Sequence, residues 1–281
     1  MTAPAMEIQP RRLVLAAAEL ELLRRVSGDL TLPADFAVGQ PAQAPGFGVE
    51  AATLAAAGRS LAERGALRSD SDSPLGGEPH PSVLANLQVL AAPEVLLETH
   101  VSVDGQTIRA AHAVAGGLGA SLARLGETAT VELSIFPAER LGLELVRMVP
   151  ATGSAARAGQ RPAGLLPLDA IAQVGLADEV GGDEVVRQLA AELRLTAAEQ
   201  QLARALSTQA GGVLHCLVTA PPRGPGQPAR VGQVLWYATA GGWVGLDPEP
   251  GPDDRRTVRL RPADPIDLGA WLAPLVAEAL S

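Results

Sequence analysis

Lysine is absent from the 281 residues, since all 22 basic residues are arginine. Schiff-base and pyridoxal-phosphate enzymes, protein kinases and P-loop nucleotidases all depend on a lysine ammonium, so those chemistries are excluded. Cysteine is almost as scarce. The single Cys216 allows neither an internal disulfide nor a cysteine-rich zinc site and fits a reducing compartment. Aromatic residues make up 2% of the chain, leaving little surface for stacking bases. Acidic residues outnumber basic ones 31 to 22 for a net charge of −9, so nucleic acid is not an expected partner. Long apolar runs are missing too: Met1 to Pro10 is polar, and Leu13 to Leu23 is broken by Glu19 and Glu21. Neither a signal peptide nor a membrane span is expected, and the chain reads as cytoplasmic.

What is present is enough for a globular core, with 47% hydrophobic and 19% charged residues. Leu13 to Leu15 reads as a short strand and Ala17 to Val26 as a helix with Leu20, Leu23 and Val26 on one face, stopped at Ser27-Gly28. Two similar stretches follow. Ala113-Val114-Ala115-Gly116-Gly117 is echoed by Ala238-Thr239-Ala240-Gly241-Gly242 at an offset of 125, and Pro137 by Pro262 at the same offset. Upstream the offset becomes 118, with Val95-Leu96 matching Val213-Leu214. The difference falls in the loop Pro221 to Pro228, where the first copy has the tight turn Val103-Asp104-Gly105-Gln106.

Each copy reads as two helices, three antiparallel strands and a closing helix. The first places helices at 50–64 and 81–92, strands at 95–103, 106–115 and 128–136, a further strand or turn at 118–125, and a helix at 138–149. The second places helices at 183–193 and 197–209, strands at 212–220, 230–239, 242–247 and 256–261, and a helix at 264–280. Ser69 to Pro81 reads as a low-complexity loop. The expected organisation is residues 1–149 as an N-terminal strand and helix plus the first copy, 150–165 as linker, and 166–281 as the second copy. The expected fold is α+β, one compact unit of two halves around an antiparallel sheet.

The ordered set of features resembles the EspG family, the chaperones associated with ESX (type VII) secretion in actinobacteria. The resemblance rests on the N-terminal strand and helix ending at Gly28 before Leu32-Pro33, and on Leu61-Ala62-Glu63-Arg64-Gly65-Ala66-Leu67. It rests also on the helix Val83 to Ala92 running into Pro93 and a strand, and on a terminal strand, Pro262-Ala263-Asp264-Pro265 and a last helix. It implies a central antiparallel sheet flanked by two helical bundles with quasi-twofold symmetry. It also implies a protein that binds a helical secreted client of the PE–PPE type, covers its hydrophobic tip and keeps it soluble. The client surface implied is the sheet, the second-copy helices bearing Leu189, Leu193, Leu202 and Leu206, and the turn Val103, Asp104, Gly105 and Gln106. That turn is short where the family often has a longer loop, so reach toward a client is either reduced or transferred to the Pro221–Pro228 loop with Pro222 and Arg223.

In the helix 183–193, Val186, Leu189 and Leu193 recur on one face and are expected in the core, which leaves Arg187 and Arg194 as candidate contacts. Trp236, Tyr237, Trp243 and Trp271 are expected mostly between the sheet and the last helix. Trp243, just past a Gly-Gly turn, is also a candidate contact.

Catalytic signals are weak. His80, His100, His112 and His215 sit in no helical ligand spacing, and His100 and His215 occupy similar places in two strands, which favours a structural role. Gly116-Gly117-Leu118-Gly119 and Gly181-Gly182 read as turns, and no serine sits in a Gly-x-Ser-x-Gly elbow. The acidic pairs Asp70-Ser71-Asp72 and Asp253-Asp254 read as solvated loop charge. No catalytic residue, cofactor or metal is therefore expected, and the oligomeric state is left open. Two other classes remain: a small-ligand or regulatory module, which needs an enclosed pocket between the halves, and a hydrolase using His112 or His215 with a nearby carboxylate.

Overall fold

A computed structural model describes residues 11–36, 51–70, 73–126, 128–152, 161–171, 184–185, 187–222, 228–251 and 255–281. Ten strands form one antiparallel sheet. In chain order its strands are β1 (Arg11–Ala16), β4 (Val95–Val103), β5 (Gln106–Ala115), β6 (Leu118–Leu125), β7 (Thr130–Pro137), β8 (Gly164–Pro167), β9 (Gly212–Ala220), β10 (Arg230–Thr239), β11 (Gly242–Pro250) and β12 (Arg256–Ala263). Their spatial order is β1-β7-β6-β5-β4-β9-β10-β11-β12-β8, so four consecutive strands on one side of the β4–β9 seam face four consecutive strands on the other. A two-stranded ribbon, β2 (Leu67–Asp70) with β3 (Ser73–Pro79), stands apart. The helices are α1 (Ala17–Val26), α2 (Ala51–Glu63), α3 (Pro81–Ala91), α4 (Leu141–Val146), α5 (Ala197–Gln209) and α6 (Leu268–Leu280), with further helical residues within 184–192.

Because side chains alternate across a strand, the pairing registers assign every strand residue to a face. One face, termed closed, carries Val95, Leu97, Val101 and Val103 of β4 and Leu214, Cys216, Val218 and Ala220 of β9. All are buried beneath α4 and α6 together with Trp236 and Trp243. Among the described residues, α-helices cover the opposite face only at its two ends. Helices α1, α2 and α3 bury Leu15, Ala111, Ala113, Ala120, Leu122 and Leu133 at one end, while α5 buries Leu166, Val244, Leu246, Val258 and Leu260 at the other. The helices therefore form two groups on one face of the sheet and a pair on the other.

Local chemistry sets the helix ends. The Glu19 carboxylate accepts from the Ala16 N–H at 2.8 Å, and Thr196 with Glu199 forms a reciprocal capping box ahead of α5. Pro81 opens α3 behind His80, whose Nδ1 accepts from the Ser82 N–H. On the closed face, Arg12 of β1, Glu132 of β7, and Glu144 and Arg147 of α4 and its end form a ring of ion pairs. The Arg147–Glu144 and Arg147–Glu132 contacts are both 2.7 Å, and the Arg12–Glu144 contact is 2.9 Å. At the β1 edge, Arg64 donates to the Val14 carbonyl at 2.6 Å and occupies an acceptor that another strand would need.

Several expectations change. Of the stretch Ser69 to Pro81 read as a loop, the described residues belong to β2, β3 and the start of α3, and 118–125 is a full strand. The closing helix expected at 138–149 is a 3-10 turn followed by α4, which stops at Val146. Strand β8 begins at Gly164, inside the stretch read as linker. The offsets 118 and 125 are incompatible with the pairing. They carry the pair Leu96–Ala113 onto Leu214–Ala238, whereas Leu214 pairs with Trp236, a slip of two residues. An offset of 118 also moves Leu96, on the half-open face, onto Leu214, on the closed one. Pattern matching in an Ala- and Gly-rich chain tolerates such a slip, but backbone hydrogen bonding does not.

Candidate docking surface on the open face

Between the two helical groups no described α-helix covers the sheet, and only Asp35 of the 3-10 turn Ala34–Phe36 reaches it, at His100. Strand β4 alternates between fully buried residues on the closed face and half-buried or exposed ones opposite, ending in exposed His100 and Ser102, and β9 repeats the alternation. The exposed side of this strip carries Glu98, His100 and Ser102 from β4 and Val213, His215 and Leu217 from β9. Val231, Gln233 and Leu235 of β10 extend it. One transverse row runs Arg109, His100, His215, Leu235, Leu246, so the strip changes from polar to apolar as it approaches the α5 end.

At that end lies an open groove of about 530 Å³ whose walls include Leu168, Leu235, Leu246, Pro248 and Val258, with Glu249, Arg255 and Arg256 at its rim. Glu249 is held by Arg259 through two hydrogen bonds of 2.6 and 2.8 Å, which pull its pKa down. Val231, 66% exposed, is the most exposed apolar residue on the strip. On the polar side, exposed Arg109 makes no ion pair or hydrogen bond among the described residues, leaving its charge available to an incoming group.

The residues singled out from sequence are scattered. Asp104 and Gly105, with φ of 50° and 73°, form the tip of the β4–β5 hairpin, where a left-handed pair matches the strand twist. Val103 is 5% exposed and points to the closed face, so its side chain is a core group and not a contact. Gln106 is exposed. Pro222 is exposed at the far end of β9, whose first residue pairs with Val103, which puts hairpin and loop about 27 Å apart on a nine-residue strand. Arg223 lies outside the described residues, as do Val186, Ser71, Asp72, Asp253, Asp254, Gly181 and Gly182.

Arg187 is exposed and paired with Glu184, and Arg194 is exposed at φ 52°, just past the helical residues. Leu189, Leu193 and Leu202 are half-buried and Leu206 is 3% exposed, all packed on the core beneath α5, so these leucines are turned inward. Trp243 is corrected outright: it is 1% exposed, its indole N–H donates to the Pro150 carbonyl at 3.0 Å, and it packs against Trp236 at 6.3 Å. The Gly241-Gly242 turn is visible in the sequence, but Gly242 is itself buried and register sends the next side chain to the closed face. Trp236 and Trp271 lie in the same core, while Tyr237 faces the opposite side toward α5.

The hydrolase reading finds no constellation. His112 is fully buried, neither ring nitrogen makes a well-formed hydrogen bond among the described residues, and desolvation pushes its pKa down to about 4. The Arg147 charge adds to that depression and the Glu144 carbonyl opposes it. His215 meets only the Gln233 amide oxygen, at 3.4 Å. Burial pushes the Cys216 thiol up to about 12, although a hydrogen bond with Thr99 lowers it in part. Among the described residues no three of His, Cys, Asp and Glu gather as metal ligands, and no helix is long and apolar enough to cross a membrane. The groove at the α5 end is open and lies over β10 to β12, not enclosed between the halves.

Comparison with known proteins agrees with this architecture. None of the curated proteins matches the chain. A solved structure of the Mycobacterium tuberculosis type VII secretion system chaperone EspG5, in complex with a PE25–PPE41 dimer, superposes with a TM-score of 0.59 at 15% identity. The alignment covers 96% of this chain and 97% of that one. The model of the EspG family matches residues 16–273, and over that span the chain belongs to the EspG family.

Proposed function

We propose that this protein is a cytoplasmic chaperone of a type VII secretion system that docks a helical client of the PE–PPE kind on the open strip of its sheet. Family membership over residues 16–273 is the observation that carries the reading, and the fold shared with the client-bound EspG5 structure supports it. The strip supplies the physical means. It is a sheet face that no described α-helix covers between two helical groups, with Val231, Leu217 and Leu235 toward an apolar groove and Arg109 toward the polar side. Asp104, Gly105 and Gln106 at one end, Pro222 at the other, and Arg187 and Arg194 beside α5 are the flanking contacts of this proposal.

The work is done by mass action rather than by catalysis. A partner that binds the folded client lowers the free concentration of its sticky form by the binding free energy alone. Such a role needs no cofactor, metal or nucleophile. Co-expression with a PE–PPE-like pair tests it: the client is expected in the soluble fraction and in one complex with the chaperone on size exclusion. A client equally soluble without the chaperone, or one that never co-elutes, overturns the reading.

A further inference from the structure

We propose that His100 and His215 form an open two-histidine site for a divalent transition metal of the zinc type on the exposed face of the central seam. The two residues are direct cross-strand partners in the β4–β9 ladder, so their side chains leave the same face of the sheet side by side. Opposed Cβ atoms in such a pair are about 4.5–5.5 Å apart. Two imidazole nitrogens bound to one zinc at about 2.0–2.1 Å each can be reached from that spacing.

The surroundings prepare both rings in the same way. His100 Nε2 meets the Asp35 carboxylate at 2.5 Å, and His215 Nε2 meets the Gln233 amide oxygen at 3.4 Å. Each oxygen accepts from Nε2–H, so each ring keeps its proton on Nε2 and presents a bare Nδ1. A carboxylate or amide oxygen behind the ring is the usual outer support of a metal-bound histidine, fixing its tautomer and raising its basicity. Neither Nδ1 has a protein partner among the described residues, and the His100 side chain is 46% exposed.

Charge is balanced around the pair. Arg109 lies across from His100 on β5 and disfavours a cation, while Glu98 on the same face of β4 and Asp35 favour one. The absence of a third close ligand among the described residues makes this an open site, with the remaining coordination positions held by water or by a donor from whatever covers the strip.

Zinc titration of the full chain, followed by calorimetry and by the imidazole nitrogen signals in NMR, tests the proposal without any client. One equivalent is expected to bind and to shift Nδ1 of both histidines. His100→Ala and His215→Ala are each expected to weaken binding at least tenfold, Asp35→Asn about tenfold, and His80→Ala not at all, with thermal melts unchanged. Absence of binding, or binding that survives both single histidine substitutions, overturns the site. A loss on His80→Ala alone places the ion elsewhere and overturns it equally.

Discussion

His112 is a buried base placed where it cannot be charged, and replacing it reports directly on that burial. The ring is fully enclosed between β4, β6 and α4, with Leu97 and Ser121 as its cross-strand neighbours and neither nitrogen in a well-formed hydrogen bond. Its folded pKa of about 4 lies below the ordinary 6.5, chiefly because burial penalises the cation and secondarily because Arg147 is near. The unfolded chain therefore takes up a proton near pH 6.5 while the folded protein does not. Stability from this group is complete above about pH 6.5 and declines as pH falls, at about 1.4 kcal/mol per unit, until the folded ring titrates near 4. By pH 4 the loss reaches about 3 kcal/mol, an appreciable share of the 5–15 kcal/mol typical of a domain. Carboxylates also titrate in this range, so the informative quantity is the difference from His112→Leu, which has no proton to gain. Urea unfolding of both proteins at pH 7.5 and at intermediate values down to 4 is the assay. The wild type is expected to lose about 3 kcal/mol more than the variant across that range. Because the wild type has already lost part of its stability to the buried ring at pH 5, the variant is also expected to be no less stable than wild type there. Parallel pH profiles would show that the ring is solvated or hydrogen-bonded in solution, and the reasoning would fail.

Other expectations follow from single contacts. A Cβ at Gly119 would lie 2.2 Å from the Phe136 ring, so Gly119→Ala is expected to cost about 1–3 kcal/mol in urea unfolding, whereas a neutral result would mean that the ring moves freely. Cys216, fully buried with its thiol pKa raised to about 12, is expected to react with a thiol reagent only in denaturant, and rapid labelling of the native protein contradicts its placement. Leu189 is half-buried, so Leu189→Ala should lower the melting temperature by less than a full core truncation of about 2–5 kcal/mol would. Arg194 adopts φ 52° just past a helix, so Arg194→Gly is expected to stabilise by a few tenths to about 1 kcal/mol, and destabilisation by the glycine would show that the arginine side chain holds the segment.

How far the sequence discloses the fold depends on whether the signal is local. Helix α1 occupies the residues its apolar spacing and Ser27-Gly28 stop predict, α3 starts at Pro81, and Asp104-Gly105 makes the expected two-residue turn. These are decided by a few neighbouring side chains. The ribbon β2–β3 was hidden because serine, aspartate, glycine and proline signal loops, yet its pairing is a matter of backbone hydrogen bonds, joined by the His80 N–H to the Ala66 carbonyl. Register was hidden for the same reason: nothing local separates Leu214 opposite Trp236 from Leu214 opposite Ala238. The docking strip depends on which side of a strand the described α-helices leave uncovered, a property of where α3 and α5 stop. Hence His100 and His215, which read as unremarkable strand residues 115 positions apart, become neighbours only when β4 meets β9. Trp243 failed for the converse reason, since its turn is visible in sequence and its face is not.

The central claim is that a client is held on the open face, and a paired charge scan on the two faces tests it most directly. Val231 is 66% exposed on the open strip and Leu143 is 65% exposed on α4, on the closed side, so glutamate at either site buries no charge in the free protein. Co-purification of a PE–PPE-like client with Val231→Glu, Leu143→Glu and wild type is the measurement, with a thermal melt on each chaperone. The client is expected to be lost with Val231→Glu and retained with Leu143→Glu, all three proteins melting alike. Retention by Val231→Glu with loss by Leu143→Glu would place the client on the α4–α6 side and contradict the account.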